Sequence, residues 1–220
     1  VADGRKFSDF AILYRMNAQS NSIEQALSRS GIPHRVIGGR RFYDREEIRD
    51  MVAYLQVINN PHDDVRLGRI INVPKRGIGA TTLEKASEIA AGLGESIYSV
   101  IKDADVYPQL SRAATKLKSF VALIDGLMEA EQSGDYSLAE LYEKYLKTEK
   151  DNPDVRIENI EELSSNIIKF EEDYAEEASL SNFLEEISLQ TDIDNYDAEA
   201  DSSVMMTLHS AKGLEFPVVF

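Results

Sequence analysis

Two polar clusters each follow an apolar run that predicts a buried strand. The clusters span Tyr14–Ser20 and Thr207–Phe216. Ligands of open α/β sheets bind at the carboxyl ends of strands, which is where both clusters fall. Tyr14 offers a ring face for stacking on a base, and Arg15 is a fork-shaped cation that suits phosphate. A tyrosine that fills the core and an arginine that pairs with a carboxylate are equally open interpretations.

The second cluster places threonine, histidine, lysine and glutamate around one glycine. His209 on its own is more often a structural histidine bonded to the backbone. Glu215 lies between Leu214 and Phe216, and a carboxylate that flanks a strand usually has a partner. Together with Thr207, these residues form a candidate binding site.

A third candidate site lies between two helical stretches, over Pro74–Thr82. Two glycines around one apolar residue allow a tight hairpin, and the helix that follows adds free N–H groups and the positive end of its dipole. This helix–hairpin–helix pattern can hold duplex phosphates without reading the base sequence. An ordinary glycine turn is the alternative, and the adjacent basic pair favours phosphate contact. The candidate residues are Lys75, Arg76, Gly77, Ile78, Gly79 and Thr81.

One substitution tests the hairpin. We expect Gly79→Val to weaken duplex binding with little loss of helicity, because a hairpin glycine with positive φ tolerates no β-branched side chain.

A fourth segment, Gly38–Ile48, mixes three arginines with two aromatic residues. Aromatic stacking combined with cations suits single-stranded nucleic acid. A helix start explains most of the same residues, with Asp44 as the N-cap and Glu47 completing a capping box.

The elements that must position these sites alternate at first and then become helical. Strand, helix, strand and helix over residues 1–63 predict the start of an α/β domain. Helical periodicity dominates residues 64–203, and strands return over residues 204–220. The simplest architecture is an α/β domain interrupted by a large all-helical insertion, predominantly helical overall. The chain begins at Val1 and stops inside an apolar run, so we expect it to be a piece of a larger protein.

Composition excludes several classes of protein. Zero cysteines exclude a disulfide framework, and three scattered histidines argue against a histidine-based zinc site. No apolar run approaches the roughly 18–20 residues that span a bilayer. The net charge of −15 is uneven, since residues 1–85 carry 14 basic and 10 acidic side chains while residues 86–203 carry 9 and 28. We expect a cytoplasmic protein with no resident metal and no membrane partner.

Four segments together resemble one family. They are YRMNAQS (Tyr14–Ser20), GGRRFYDREEIRD (Gly38–Asp50), INVPKRGIG (Ile71–Gly79) and TLHSAKGLEFPVVF (Thr207–Phe220). In this order they are similar to motif IV, to extra motifs beyond it and to motif V of the UvrD/PcrA-type superfamily 1 DNA helicases, with the PcrA group of Gram-positive bacteria nearest.

The resemblance implies a P-loop NTPase-type, RecA-like motor domain, 2A, interrupted by an all-helical subdomain, 2B. Tyr14 would stack on adenine, Arg15 would contact the γ-phosphate and Glu215 would bond the ribose. Thr207 and His209 would lie along the single-stranded DNA track. Gly77, Ile78 and Gly79 would touch the duplex backbone ahead of the fork. Implied partners are motor domain 1 of the same parent chain, DNA at a single-strand/duplex junction, and repair or transcription proteins.

The parent would be an ATP-dependent 3′→5′ helicase of repair or replication that uses ATP and Mg²⁺. The sequence contains no GxxxxGK[ST] loop and no Asp-Glu pair of the kind that holds Mg²⁺ in this family. We therefore expect the isolated chain to bind neither cofactor and to have no ATPase activity. Two alternatives stay open: an acidic helical module that docks proteins and regulates the motor by swivelling, and a piece of a helicase–nuclease subunit.

Overall fold

The computed structural model describes residues 4–15, 19–37, 42–133, 153–175, 178–194 and 201–220. Parts of two predicted motifs, Met16–Ala18 and Gly38–Arg41, lie outside the described residues. The strands are β1 (Phe10–Tyr14), β2 (His34–Ile37), β3 (Ser203–Thr207) and β4 (Val218–Val219). The helices are α1 (Ser20–Arg29), α2 (Glu46–Asn59), α3 (Asp64–Ile70), α4 (Ala80–Leu93), α5 (Ile97–Lys102), α6 (Ala114–Ser133), α7 (Pro153–Tyr174) and α8 (Leu180–Asp194).

The four strands form one parallel sheet in the order β2-β3-β1-β4. Strand β3 lies at the centre although it comes after all the helices in the chain. Its residues Val204, Met205 and Met206 are at most 2% exposed. An unbroken apolar run is what a strand needs when both faces of a parallel sheet are covered. The predicted return of the chain into the sheet is therefore confirmed for the described residues.

Helices α2 to α8 pack around a hydrophobic core that does not include the strands. Helix α2 contacts α3, α6, α7 and α8. Its buried face carries Ile48, Met51, Tyr54 and Leu55, at helical spacing. No strand interrupts the described residues between β2 and β3, as the periodicity predicts. The division at residue 63 stays a prediction, but α2, assigned to the first segment, packs with the helices of the second.

The predicted start of α2 is wrong. Asp44 ends a 3₁₀ turn, Phe42–Asp44, and the N-cap is Arg45, which has extended backbone angles and no side-chain capping bond. The capping-box pattern fails because Glu47 bonds elsewhere, accepting from the side-chain amide of Asn159 on α7. A tertiary contact has displaced the local one.

A buried polar network joins the sheet segment to α7. The guanidinium of Arg45 donates to Oδ1 of Asn159 at 2.6 Å and to Oγ of Ser20, the first residue of α1, at 2.9 Å. Asn21 donates to Oε1 of Glu162 at 3.0 Å. Burial lowers the pKa of the Arg45 guanidinium, and the carboxylates of Glu24 and Glu47 oppose that shift. Paired in this way, a buried cation is tolerated.

Candidate functional sites

The sheet brings the two strand-end clusters side by side. Strands β1 and β3 are neighbours, and Tyr14 is in register with Thr207. The amide of Leu208 donates to the carbonyl oxygen of Tyr14 at 2.9 Å. Residues almost two hundred positions apart therefore share the carboxyl edge of the sheet, which is the usual ligand edge of such folds.

Tyr14 is only 5% exposed. Burial raises the pKa of its hydroxyl, the Glu24 carboxylate adds to the shift, and a hydrogen bond with Ser20 opposes it. Both of these neighbours are on α1. Adenine stacking stays a prediction for Tyr14, and in this conformation it requires the ring to be uncovered.

Three other residues predicted at this edge are exposed: Arg15, His209 and Glu215. None of their side chains has a hydrogen-bond or ion-pair partner among the described residues. Glu215 lies apart from the others, three residues before β4, whose first residue is in register with Phe10 at the beginning of β1. The structure thus groups Arg15 and His209 at one edge and does not bring Glu215 into contact with them.

Thr207 uses its hydroxyl locally. Its Oγ1 lies 2.9 Å from the hydroxyl of Ser210 and accepts from the Ser210 amide at 3.2 Å. The turn after β3 is therefore held in shape by its own side chains, while Lys212 and His209 project from it as exposed groups.

The loop between α3 and α4 corrects one predicted DNA contact. The guanidinium of Arg76 points into the protein, where Nη1 lies 2.9 Å from the carbonyl oxygen of Val73 and 3.1 Å from that of Ile70. Nη2 donates to the hydroxyl of Tyr54 at 2.6 Å. The guanidinium carbon lies 5.3 Å from the centre of the Phe120 ring. The expectation that Arg76 faces a phosphate is wrong for this conformation, because inward carbonyls occupy its donors.

The same loop corrects the glycine prediction. The left-handed residue is Gly77, with φ of 69°, whereas Gly79 has φ of −83° and ψ of 166°. Gly79 is the N-cap of α4, where extended backbone is normal for any residue. A Cβ added at Gly79 meets nothing within 4 Å. The expectation that positive φ forbids Gly79→Val is therefore wrong, and that argument belongs to Gly77.

Asn72 shapes the loop. Its Oδ1 accepts from the amide of Arg76 at 2.9 Å and from that of Ile78 at 3.2 Å. Ile78 is 2% exposed and anchors the loop in the helical core. Gly77 is exposed, and its carbonyl oxygen accepts from the ammonium of Lys116, on α6, at 3.1 Å. The hairpin is thus held on both sides by side chains from outside it.

Helix α4 begins at this loop without a side-chain cap. Ala80 is its first residue, one position before the predicted start at Thr81. The amides of Gly79, Ala80 and Thr81 donate to no acceptor among the described residues. The first N–H groups of a helix need external partners, and together with the helix dipole they favour an anion. Lys75, exposed and without an ion-pair partner in the described part of the chain, adds positive charge beside them.

Sequence reasoning missed three residues that build these sites. Asn72, two residues before a proline, has the Asx-turn signal that could have been recognised. Arg45 belongs to the arginine-rich segment Gly38–Ile48, and no local signal shows that its partner is Asn159. Lys116 lies 39 residues from Gly77 in the chain, so only the packing of α6 reveals it.

The structure offers no candidate metal site among the residues that it describes. Within the same residues, no helix is long and apolar enough to cross a membrane.

Comparison with known proteins identifies the family. The family model described as "UvrD-like helicase C-terminal domain" matches residues 1–220. The chain belongs to this family. It is 44% identical over 233 residues to the ATP-dependent DNA helicase PcrA of Bacillus subtilis, 39% identical over 229 residues to that of Staphylococcus aureus, and 40% identical over 228 residues to that of Staphylococcus epidermidis. These matches cover 98–99% of the chain and 31% of each relative, so the chain spans about a third of their length.

The family assignment confirms the resemblance found in the sequence motifs. It also confirms the coarse fold, because this UvrD-like helicase C-terminal domain is helical with a small parallel sheet. The described parts of three motifs fall where chemistry is possible. The motif IV and motif V segments meet at the sheet edge, and the loop Pro74–Gly79, which carries Gly77-Ile78-Gly79 and is called the GIG loop below, precedes α4. The roles of the individual residues are not settled by membership.

Proposed function

We propose that this chain is the part of an ATP-dependent 3′→5′ DNA helicase that grips duplex DNA ahead of the fork and completes one side of the ATP site. In this proposal the sheet segment is part of motor domain 2A and the helices between β2 and β3 are subdomain 2B. Motor domain 1 of the parent chain supplies the other half of the ATP site. The proposal rests on the family and on the geometry of two sites.

The observation that carries the duplex-binding half is the uncapped start of α4. Three free amides, an exposed lysine and a glycine N-cap without a side chain lie together at the loop before α4. The absence of a Cβ at Gly79 lets a bulky anion approach the backbone closely. Such a site contacts the DNA backbone and carries no base specificity, which suits an enzyme that must unwind any sequence.

The nucleotide half is assigned to Arg15, with Thr207 and His209 along the single-stranded DNA track. Arg15 fits a γ-phosphate contact because its guanidinium is exposed at the carboxyl edge of β1 and has no partner among the described residues. ATP hydrolysis would supply the free energy for translocation. A cation at the γ-phosphate would stabilise the negative charge on the transferring phosphoryl group in the transition state. In this proposal, motor domain 1 of the parent chain supplies the residues that hold Mg²⁺.

Gly79→Asp separates DNA binding from folding. An N-cap aspartate accepts from the second or third amide of the helix, so we expect the free energy of unfolding to rise by about 0.5–1 kcal/mol. The same carboxylate consumes a free amide and repels phosphate, so affinity for a duplex with a 3′ single-stranded tail should fall at least several-fold. Urea denaturation and fluorescence anisotropy measure the two effects.

The matched control is Gly79→Ala, which adds a Cβ where nothing lies within 4 Å and adds no charge. It should weaken duplex binding less than the aspartate does. If Gly79→Asp stabilises the protein and leaves duplex affinity unchanged, the start of α4 is not a DNA contact. The acidic helical segment would then be better explained as a protein-docking module.

A further inference from the structure

The GIG loop has two exposed lysines beside it, and one comes from a distant helix. Lys75 belongs to the loop itself. Lys116 is the third residue of α6, and its ammonium donates to the carbonyl oxygen of Gly77 at 3.1 Å. Neither ammonium forms an ion pair with a carboxylate of the described residues. Lys75 and Lys116 therefore place positive charge next to the exposed loop backbone, whereas Arg76 is turned inward.

The ammonium of Lys116 has donors to spare. It carries three N–H groups, and the described part of the chain gives it one acceptor, the carbonyl of Gly77. Its position is close to the loop backbone, because a Cβ built at Gly77 would lie 2.6 Å from Nζ. A lysine is a compact charge with rotatable donors, so it can keep the carbonyl and add a phosphate oxygen.

We infer that Lys116 is a duplex-DNA phosphate contact that acts together with Lys75 and the start of α4. This inference rests on the proposed function and extends its binding site to a second element. The Gly77 carbonyl holds the ammonium at the loop before DNA arrives, which reduces the ordering cost of the contact. The overall acidity of residues 86–203 does not oppose it, because no described carboxylate neutralises this lysine.

The test measures DNA affinity at a series of salt concentrations for the full-length helicase that contains this chain and for its Lys116→Met variant. The probe is a labelled duplex with a 3′ single-stranded tail, followed by fluorescence anisotropy. Loss of one phosphate contact should make the negative slope of log K against log salt shallower by about 0.9. Over a fourfold range of salt concentration, the loss of affinity should therefore be about threefold greater at the low-salt end than at the high-salt end. Lys116→Arg should restore the slope, and affinity for single strands without duplex should stay unchanged.

Lys118→Met is the matched control. Lys118 is two residues further along α6, is also exposed, and pairs with Asp105 at 2.7 Å. Its removal should leave the salt slope unchanged.

Two results would overturn the inference. Weaker binding with an unchanged slope would mean that Lys116 only shapes the loop, and unchanged binding would mean that it does neither. Lys75→Met distinguishes these failures from failure of the proposed function. If Lys75→Met lowers the slope and Lys116→Met does not, only the role of Lys116 is wrong. If Lys75→Met and Gly79→Asp both leave duplex binding intact, the loop itself is not the duplex grip.

Discussion

The carboxyl edge of the sheet and the GIG loop both present groups that suit phosphate, Arg15 at the edge and Lys75 with free backbone amides at the loop, but they are built in opposite ways. At the sheet edge, Arg15 and His209 are exposed and unpartnered among the described residues. At the loop, Asn72, Arg76 and Lys116 bond the backbone from three directions. One site is left open by its own chain, and the other is held in shape before any ligand binds.

This difference indicates what kind of ligand each site suits. A rigid loop with fixed amides pays little ordering cost when it meets a rigid duplex backbone. A site that offers only an exposed arginine at a sheet edge needs a second domain to supply the remaining contacts to the ligand. In a two-domain motor, an incomplete edge allows nucleotide contacts to form only when the domains close.

Arg15→Ala, at the carboxyl edge of the sheet, is the substitution with the largest expected effect. In the full-length helicase we expect kcat for ATP hydrolysis to fall about a thousandfold, because an arginine at a transferring phosphoryl group contributes about 10³–10⁵. The thermal unfolding midpoint should hardly change, since the side chain is exposed and unpartnered in the described chain. Phosphate-release kinetics and calorimetry measure the two quantities.

Arg35→Ala is the control for Arg15→Ala, because Arg35 is an exposed arginine of the neighbouring region, on β2. Its turnover should equal that of the unsubstituted enzyme. Arg15→Lys retains the charge without the planar fork and should recover only part of the activity. Full activity in Arg15→Ala would remove this residue from the nucleotide site.

Arg76→Ala disrupts the GIG loop, and we expect its main effect to be a loss of folding stability. The substitution leaves the carbonyls of Ile70 and Val73 and the hydroxyl of Tyr54 without their charged donor. We expect the free energy of unfolding to fall by about 2–4 kcal/mol in urea denaturation of the chain, with loss of duplex binding as a consequence.

Lys75→Ala provides the comparison, since Lys75 is exposed and precedes Arg76 directly. It should change the free energy of unfolding by less than about 0.5 kcal/mol. Equal stability of Arg76→Ala and Lys75→Ala would contradict the inward position of the guanidinium.

The sheet edge could be predicted from the sequence better than the loop, because local patterns determine the strands while tertiary packing determines the loop contacts. The strands follow from apolar runs, and the position of each polar cluster at a strand end follows from them, so both could be predicted. The register of Tyr14 with Thr207 could not, because the strand order depends on tertiary packing. The orientation of Arg76 could not, because Lys-Arg beside Gly-Ile-Gly gives the same local pattern whether the guanidinium faces solvent or Tyr54. Lys116 could not be found either, since nothing near residue 116 indicates that α6 packs on the loop.

The two glycines of the loop give the smallest and most selective prediction. Gly77→Val forces a β-branched residue into a backbone with φ of 69° and displaces the Lys116 ammonium, so we expect a loss of about 1–3 kcal/mol in the free energy of unfolding. Gly79→Val meets extended backbone and open space, and its stability should change by less than about 1 kcal/mol. Urea denaturation of both variants, followed by far-ultraviolet circular dichroism, measures the difference. If Gly79→Val nevertheless weakens duplex binding as much as Gly77→Val, its effect must come from the added side chain blocking DNA from the start of α4. A reversed order of stabilities would contradict the assignment of the left-handed turn to Gly77, and with it the bond by which Lys116 holds the loop.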